Sequence, residues 1–250
     1  MFSEGDGYER FMGRWSRRLA PLFVTFAGVT EGDRVLDVGS GTGALSAAVA
    51  AIESVQVTGV EPAAAYVRYA QDRLDGHFEV GDAMALPFAD DSFDRTLAML
   101  VLNFVPDPAA ALQQMIRVTR PGGVVAAAVW DYGEGMQLLR TFWDAAIALD
   151  PAAAPRDERH MPLCTHGALA RQWRMHGLMD VDERPLTIDM AFESFDDYWQ
   201  PFLGGQGPAG AYVSSLAESA RHALESRLRA RLDDLTMRAR AWAVRGVVVT

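Results

Sequence analysis

The amino-acid sequence predicts an α/β fold in which helices cover both faces of an open, doubly wound parallel sheet. Short apolar strands alternate with helices of about ten residues over the first half of the chain. A glycine-rich turn follows the first strand, and half of the 250 residues are apolar, enough for one domain with a sizeable core. Consecutive strand–helix–strand units with right-handed crossovers build such a sheet.

The first predicted element is a helix over residues 8–26 with a wide aromatic face. Its apolar residues recur with helical spacing, and arginines occupy the other sides. The residues on this face are Tyr8, Phe11, Met12, Trp15, Leu19, Leu22, Phe23 and Phe26. Two interpretations are open: the helix packs on the main domain, or it forms a lid over a ligand site.

Strands and helices then alternate as far as residue 130. The predicted strands are Arg34–Val38, Val55–Val60, His77–Val80, Arg95–Leu100 and Val124–Val129. The predicted helices are Ala44–Ile52, Ala63–Leu74 and Pro108–Val118, the last with proline in its first turn. A turn at residues 120–123 leads into the fifth strand.

The pattern changes after Trp130. The elements predicted there are helices at Met136–Leu149 and Thr165–His176, strands at Val181–Ile188 and Ala239–Val249, and helical residues 193–235 with a glycine-rich interruption. We therefore expect an N-terminal helical segment at 1–30 and a main domain at 31–250. Helical cap insertions are expected in the main domain at about 136–175 and 192–235.

Composition narrows the function. The net charge of −10, from 23 basic and 33 acidic residues, disfavours nucleic acid as a partner. The chain contains no lysine, which excludes Schiff-base and lysine-base chemistry. Its one cysteine, Cys164, permits no internal disulfide. With neither a secretory signal nor an apolar run of the roughly 18–20 residues that span a membrane, we expect a cytoplasmic protein.

The stretch "VLDVGSGTGA" at residues 35–44 holds the glycine-rich turn. It satisfies G-x-G-x-x-A through Gly39, Gly41 and Ala44, the pattern of dinucleotide-binding turns. Glycines let a ligand approach the backbone, and the following helix points free N–H groups at it. The turn by itself fits NAD, FAD or S-adenosylmethionine (SAM).

Three carboxylates sharpen this interpretation. Glu61 ends the second strand, where it can accept hydrogen bonds from both ribose hydroxyls, a feature shared with NAD-binding folds. Asp82 follows the third strand and is placed to accept from an adenine amine, with Ala83 and Met84 beside the ring. Asp37 precedes the glycines, where it would repel a pyrophosphate but suit the amino group of a methionine moiety.

Five segments occur along the chain in the order "VLDVGSGTG", "GVEP", "GDAMALPFADDSFD", "LNFVPDP" and "RVTRPGGVV". Together they resemble the class I SAM-dependent methyltransferases, most of all the type 11, ubiquinone/menaquinone-biosynthesis-like group. The resemblance covers residues 33–130, and "YERFMGRWSRRLAP" is similar to the opening of that group. It implies a Rossmann-like seven-stranded sheet of order 3-2-1-4-5-7-6, whose sixth and seventh strands would be Val181–Ile188 and Ala239–Val249.

The resemblance also implies a cofactor site for SAM. Its residues would be Asp37, Gly39, Ser40, Gly41 and Thr42 in the turn, Glu61 and Pro62 at the ribose and adenine, Asp82, Ala83 and Met84 at the adenine edge, and Met99 and Leu100 beside the methionine. The group often has histidine where this chain has Asn103. Arg14 is a further candidate, because a helix folded over the site would let it pair with the SAM carboxylate.

Candidates for catalysis are few. Methyl transfer needs an aligned acceptor and sometimes a general base. The weak candidates for such a role are His160, Tyr132 and Asn103, and His166 is a weaker one. An aromatic-rich cap would form either its own core or a pocket for an apolar acceptor. Its residues are Trp143, Phe192, Phe195, Tyr198, Trp199 and Phe202.

The sequence therefore predicts a SAM-dependent methyltransferase that transfers a methyl group to a small, apolar or aromatic acceptor by in-line displacement. An NAD-dependent oxidoreductase and a non-catalytic SAM-binding module are the alternatives. No Cys/His cluster or Asp/Asn grouping has metal-ligand spacing, so no metal is expected. The acceptor, its reacting atom and the oligomeric state stay open.

Overall fold

A computed structural model describes residues 7–249 of the chain and contains a seven-stranded sheet of order β3-β2-β1-β4-β5-β7-β6. The strands are β1 (Arg34–Val38), β2 (Gln56–Glu61), β3 (His77–Val80), β4 (Phe93–Met99), β5 (Thr119–Trp130), β6 (Met179–Ala191) and β7 (Thr236–Val247). The first five run parallel, while β7 is antiparallel to both β5 and β6. This order confirms the predicted fold class.

The helices also follow the predicted sequence of elements. They are α1 (Arg14–Ala27), α2 (Ala44–Ala50), α3 (Ala64–Gln71), α4 (Pro108–Val118), α5 (Gln137–Leu149), α6 (Ala168–Met175), α7 (Phe195–Trp199), α8 (Gly207–Ser215) and α9 (Glu218–Arg231). Short 3-10 turns lie at Leu102–Phe104, Pro151–Arg156, Glu158–His160 and Gln200–Gly204. Several helices are shorter than predicted because their end residues form turns, which apolar periodicity does not resolve.

The turn predicted at residues 120–123 is part of β5. Pairing between β4 and β5 shifts register there, from Phe93 opposite Thr119 to Arg95 opposite Val124. Gly122 has a φ of 76°, which glycine adopts without the steric penalty of a side chain. The strand therefore continues through an irregularity that reads as a turn in sequence.

The final hairpin is longer than the sequence predicts. Strand β6 pairs with β7 as far as Ala191 opposite Thr236, beyond the expected limits of both strands. Because β6 is the edge strand, many of its side chains are exposed and polar, so apolar alternation marks only its middle. Pro185 fits this edge position, where a missing N–H is tolerated.

The N-terminal helix packs into the core. Trp15, Leu19 and Phe23 of α1 are almost completely buried. The ring of Trp15 meets that of Phe192 edge to face at 5.2 Å, which joins the helix to the segment after β6. A π-helical turn at Glu9–Gly13 precedes α1 and continues its buried face.

The aromatic residues of the second half form a cluster of their own. Phe142 on α5 stacks on Phe202 at 4.5 Å, and Tyr198 on α7 lies 5.4 Å from the same ring. Each is fully buried, so the cluster forms the core of the helical cap. No helix between residues 7 and 249 is long and apolar enough to cross a membrane.

Candidate cofactor and acceptor site

A cavity of about 580 Å³ lies at the carboxyl ends of β1 to β5. Parallel strands deliver the residues that follow them to one edge of the sheet, and order reversal between β1 and β4 opens a crevice there. The N-terminal helical segment, α5 and the loop before α8 also contribute to its wall. The cavity therefore joins residues from both halves of the chain.

The glycine-rich turn forms the floor of the cavity. Gly39, Gly41 and Gly43 have positive φ values of 72°, 52° and 90°. A Cβ at Gly39 would lie 2.5 Å from a methyl carbon of Val101, so the position requires glycine for space as well as for conformation. The N–H of Gly39 donates to the carbonyl oxygen of Val60 at 2.7 Å, which fastens the turn to β2.

Asp37 is buried at the end of β1 and lines the cavity. One carboxylate oxygen accepts a hydrogen bond from Ser46 Oγ at 2.7 Å. Burial raises the pKa of Asp37 to about 7, and the nearby charge of Glu61 adds to this, while the Ser46 hydrogen bonds oppose it. The site thus holds an acid that a bound cation would ionise.

Glu61 braces the opposite side of the turn. Its Oε2 accepts from the backbone N–H of Gly41 at 3.1 Å, and Oε1 accepts from the N–H of Ala63 at 3.0 Å. Burial raises the pKa of this carboxyl, and the two backbone hydrogen bonds lower it. The carboxylate is consequently held in one orientation beside the cavity.

The rim after β3 carries Asp82, Ala83 and Met84, all of which line the cavity. Asp82 Oδ1 accepts from the N–H of Met84 at 2.8 Å, forming a tight turn. The Asp82 side chain is exposed at this rim, whereas Asp37 is at the buried end. The three acids therefore line one elongated wall.

The end of β4 forms the next part of the wall, with Met99, Leu100 and Val101. Leu100 has a φ of 66°, a left-handed conformation that costs a residue with a side chain about 1 kcal/mol or more. Its N–H donates to the carbonyl oxygen of Ala128 at 2.7 Å, so β5 holds the conformation in place. Such strain at a cavity is typical of a functional site.

A family model for the methyltransferase domain, of the type 11 group, matches residues 36–127. That range contains the end of β1, the glycine-rich turn and the acids described above. The chain thus carries a methyltransferase domain of the class I, SAM-dependent type. SAM is accordingly the methyl donor of this enzyme.

Two relatives match over most of the chain. An uncharacterised protein of Mycobacterium tuberculosis is 29% identical over 216 residues, which are 83% of this chain and 78% of that protein. The 2-methyl-6-phytyl-1,4-hydroquinone methyltransferase of Synechocystis is 33% identical over 185 residues. That alignment covers 70% of this methyltransferase but 56% of the relative, so the chain spans little more than half of it.

A solved structure shows the same fold. The chain determined in complex with the Trm112 methyltransferase activator of Haloferax volcanii matches with a TM-score of 0.63. Its sequence is 21% identical, and the match covers 100% of both chains. The fold of the methyltransferase thus extends beyond the segment that the family model matches.

All but one of the predicted cofactor residues line the cavity. Those that do are Asp37, Gly39, Ser40, Gly41, Thr42, Glu61, Pro62, Asp82, Ala83, Met84, Met99 and Leu100. Arg14 is the exception and corrects our expectation: its Nη1 donates to Asp197 Oδ1 at 2.7 Å. Its guanidinium also lies 4.5 Å from the Trp15 ring centre, so it joins α1 to α7 and does not face the cavity.

Of the weak catalytic candidates, the structure brings only Tyr132 to the cavity. His160 is exposed and lies outside the cavity wall. Asn103 is buried, with Nδ2 donating to Met161 Sδ at 3.4 Å, and it too lies outside the wall. His166 is exposed, 3.9 Å from Glu183. The six aromatic residues of the cap also lie outside the wall, as their packing in the cap core requires.

Many residues that line the cavity were not predicted from the sequence. The missed residues are Tyr66, Val101, Phe104, Val105, Pro106, Trp130, Leu139, Glu158 and Pro208. The cavity is also lined by Tyr8, Phe11 and Met12. The N-terminal helical segment therefore packs on the main domain and also contributes to the cavity wall. Thr42 Oγ1 hydrogen-bonds to Glu9, which ties this segment to the glycine-rich turn.

Glu158 is the most informative of the missed residues. It is a carboxylate in a 3-10 turn of the cap, where its sequence context "RDERH" resembles a solvated loop. Its burial is explained by its hydrogen-bond partner Trp143. In the sequence, the end of α5 and a proline-rich segment separate Glu158 from this tryptophan. Local sequence carries no signal for such a contact.

Proposed function

We propose that this methyltransferase transfers the methyl group of SAM to a small, apolar or aromatic acceptor by in-line displacement. The observation that carries the proposal is the division of the cavity into two unlike walls. One wall is formed by the glycine-rich turn and the carboxylates Asp37, Glu61 and Asp82. The other is formed by apolar and aromatic side chains. A cavity of about 580 Å³ is in the range of small-molecule sites.

On the cofactor side, each acid suits a different part of SAM. Asp37 would accept from the amino group, Glu61 from the ribose hydroxyls and Asp82 from the adenine amine. The remaining contacts would come from the turn residues Gly39, Ser40, Gly41 and Thr42, from Pro62, Ala83 and Met84 on the adenine, and from Met99 and Leu100 on the methionine.

Two observations support the fit of SAM to this wall. Ser40 Oγ is buried without a hydrogen-bond partner among residues 7–249, which leaves a polar atom for a ligand to satisfy. The turn lacks side chains where a ligand would approach its backbone. When bound, SAM supplies a methyl group that is already strongly electrophilic. The residues of the chain then need to align the acceptor and exclude water.

The acceptor side is built from Phe11, Met12, Trp130, Tyr132 and Leu139. Aromatic and aliphatic walls of this kind favour an apolar or aromatic molecule. The named substrate of the Synechocystis relative is a hydroquinone, an aromatic ring, which supports the same class of acceptor here. A large nucleic-acid substrate is disfavoured by the net charge of −10.

The two alternatives are less well supported. A buried Asp37 beside the turn would repel the pyrophosphate of NAD, and the family model that matches residues 36–127 describes a methyltransferase domain. A non-catalytic SAM-binding module would need only the cofactor wall, whereas the cavity also has the apolar and aromatic lining residues Trp130, Tyr132 and Leu139.

Calorimetric titration of the purified protein with SAM, S-adenosylhomocysteine and NAD tests the cofactor assignment. We expect binding of the first two and none of NAD. Asp37→Asn should weaken SAM binding about tenfold at pH 8, since a charge-assisted hydrogen bond contributes about 1.5–3 kcal/mol. The matched control is Asp75→Asn, because Asp75 is exposed in the turn before β3.

The pH dependence adds a second readout. Because the pKa of Asp37 is raised to about 7, its ionised form becomes populated as pH rises through 7. The wild-type affinity for SAM should therefore increase between pH 6 and pH 8, while the affinity of Asp37→Asn stays level. Binding of NAD without SAM, or an Asp37→Asn variant that binds SAM like the control, would overturn the assignment.

A further inference from the structure

Glu158 is a buried carboxylate on the acceptor side of the cavity. It belongs to the 3-10 turn Glu158–His160 in the cap, is 6% exposed and lines the cavity together with Tyr132. It lies outside the five segments that resemble SAM-binding motifs. Burying an acid is costly unless it is paired or used, so its position requires an explanation.

The carboxylate is oriented but not fully satisfied. Trp143 Nε1 donates to Glu158 Oε2 at 2.6 Å, and Trp143 is itself completely buried in α5. The Trp143 bond is the one side-chain hydrogen bond that the Glu158 carboxylate makes within residues 7–249, and it involves Oε2 and not Oε1. One oxygen is therefore held by the scaffold, and the other is available to a molecule in the cavity.

Charged neighbours do not neutralise Glu158. The nearest guanidinium, that of Arg140, pairs with Asp157, which also accepts from Arg159. Burial raises the pKa of Glu158 to about 7, and the charge of Asp157 adds to this, while the Trp143 hydrogen bond and Arg140 oppose it. Tyr132 is the other titratable group facing it, and burial together with the Glu158 charge raises the pKa of that phenol.

A donor without a partner lies in the same wall. Trp130, at the end of β5, is 1% exposed, and its indole N–H has no hydrogen-bond partner between residues 7 and 249. An unpaired buried donor loses about 1–3 kcal/mol unless a ligand or water satisfies it. The acceptor side thus combines the Glu158 carboxylate and the unpaired indole N–H of Trp130 with the Tyr132 phenol and apolar side chains.

We propose that Glu158 is the catalytic base that removes the proton from a phenolic hydroxyl on the methyl acceptor. The proposal rests on the proposed function and narrows its acceptor to aromatic molecules that carry such a hydroxyl. Glu158 Oε1 accepts the hydroxyl proton, and Trp143 holds the carboxylate in position. A general base works best when its proton affinity matches the operating pH, which a partly desolvated carboxylate achieves.

Proton removal and methyl transfer together form one ether bond. The acceptor hydroxyl gives its proton to the Glu158 carboxylate, and its oxygen forms the new bond to the methyl carbon. The electron pair of the methyl–sulfur bond stays with sulfur, which becomes a neutral thioether. The products are a methyl aryl ether, S-adenosylhomocysteine and a protonated Glu158 that returns its proton to water.

Three proteins test the assignment: wild type, Glu158→Gln and the control Glu31→Gln, whose side chain is exposed before β1. Glutamine keeps the shape and can still accept from Trp143, but it cannot take a proton. The probes are 4-methoxyphenol, 4-methoxyaniline and 4-methoxybenzenethiol, which differ only in the reacting group, and 4-nitrophenol, which ionises at much lower pH. SAM binding is measured for each protein by calorimetry.

We expect all three proteins to bind SAM equally and the wild type to methylate the phenol. Its kcat/KM for 4-methoxyphenol should rise with pH to a plateau, with a midpoint near 7. Glu158→Gln should lose about 100-fold or more at pH 7.5 and lose this pH dependence. The loss should shrink to about tenfold or less with 4-nitrophenol, which needs no base once ionised.

A spectroscopic readout does not depend on turnover. Because Glu158 contacts Trp143 directly, its titration should change tryptophan fluorescence near pH 7 in the wild type and in Glu31→Gln. That transition should be absent in Glu158→Gln. Its persistence in this variant, together with an unchanged pH–rate profile, would show that Glu158 is not the base.

The remaining outcomes separate the two proposals. If SAM binds but only the amine or thiol is methylated, or none of the probes, the phenolic acceptor is wrong and the cofactor assignment stands. If the wild type does not bind SAM, the proposed function fails and the base assignment fails with it.

Discussion

At the scale of single residues, position relative to strand ends separates the predicted cofactor residues that line the cavity from the one that does not. Asp37, Glu61 and Asp82 follow or end three neighbouring parallel strands, and all three line the cavity. Arg14 lies on a helix whose orientation depends on packing, and it pairs with Asp197 instead. A carboxylate at a strand end has its location set by the sheet, whereas a long helical side chain has several directions available.

Gly39→Ala is predicted to be far more harmful than Gly32→Ala. Both glycines have positive φ, so each substitution carries a backbone penalty of about 1–2 kcal/mol. Only at Gly39 would the new Cβ lie 2.5 Å from Val101, whereas at Gly32 nothing lies within 4 Å. Urea unfolding and SAM titration should show Gly39→Ala losing both additional stability and SAM affinity, with Gly32→Ala binding normally. Equal losses for the two variants would contradict the steric explanation.

At the scale of elements, the N-terminal helical segment has the widest influence. Its buried face packs into the core through Trp15, while Phe11 and Met12 line the cavity. Glu9 accepts from Thr42 of the glycine-rich turn and pairs with Arg17 on α1. A Cβ at Gly13 would lie 2.5 Å from the Glu9 carboxylate, so this glycine makes room for the contact. The N-terminal helical segment thus connects the cavity wall to the core.

Arg14→Ala is predicted to affect stability and leave the affinity for SAM unchanged within about twofold. The ion pair with Asp197 is about a quarter exposed on each side, which limits its contribution to about 1 kcal/mol. A double-mutant cycle with Asp197→Ala, measured by urea unfolding, should return a coupling energy of that size. A tenfold loss of SAM affinity in Arg14→Ala would instead revive a direct role at the cofactor.

At the scale of the whole molecule, the ionisable groups divide into two sets. Buried acids of the cavity, Asp37 and Glu158, have pKa values raised to about 7. Away from it, burial raises the pKa of Asp94, but hydrogen bonds from Arg34 and Arg120 outweigh this and hold the pKa below its usual range. The site is therefore destabilised by ionisation near neutral pH, while the ion pairs of the scaffold are strengthened by it.

The free enzyme is predicted to lose stability as pH rises from 5 to 8. An acid with a raised folded-state pKa contributes fully below its unfolded pKa, and the contribution is lost as pH rises through the folded pKa. Asp37 and Glu158 together should lower the free energy of unfolding by a few kcal/mol over this window, because a tenfold difference in proton affinity between the folded and unfolded states corresponds to about 1.36 kcal/mol. Asp94 has the opposite effect. Because its pKa is lowered in the folded state, its stabilising contribution is lost as the pH falls below 4.

Urea unfolding at successive pH values measures this slope. The double variant Asp37→Asn/Glu158→Gln should show a clearly shallower slope between pH 5 and pH 8, with a remainder from Glu61, whose pKa burial also raises. A variant as steep as the wild type would assign the pH dependence to other groups. Saturating SAM should also flatten the wild-type slope, because a bound cation favours the ionised form of Asp37.

The resemblance to a known family implied the order of the strands. The sequence by itself predicted the alternating strands and helices, the glycine-rich turn and the strand-end carboxylates Asp37, Glu61 and Asp82. Each of these depends on local signals, and parallel strands bring their carboxyl ends to one edge whatever the distant contacts are. Only the tertiary structure decided the direction of Arg14, the coverage by Phe11 and Met12, and the burial of Glu158 beside Trp143. Those features arise from packing between segments far apart in the chain, and no local pattern encodes which segments meet.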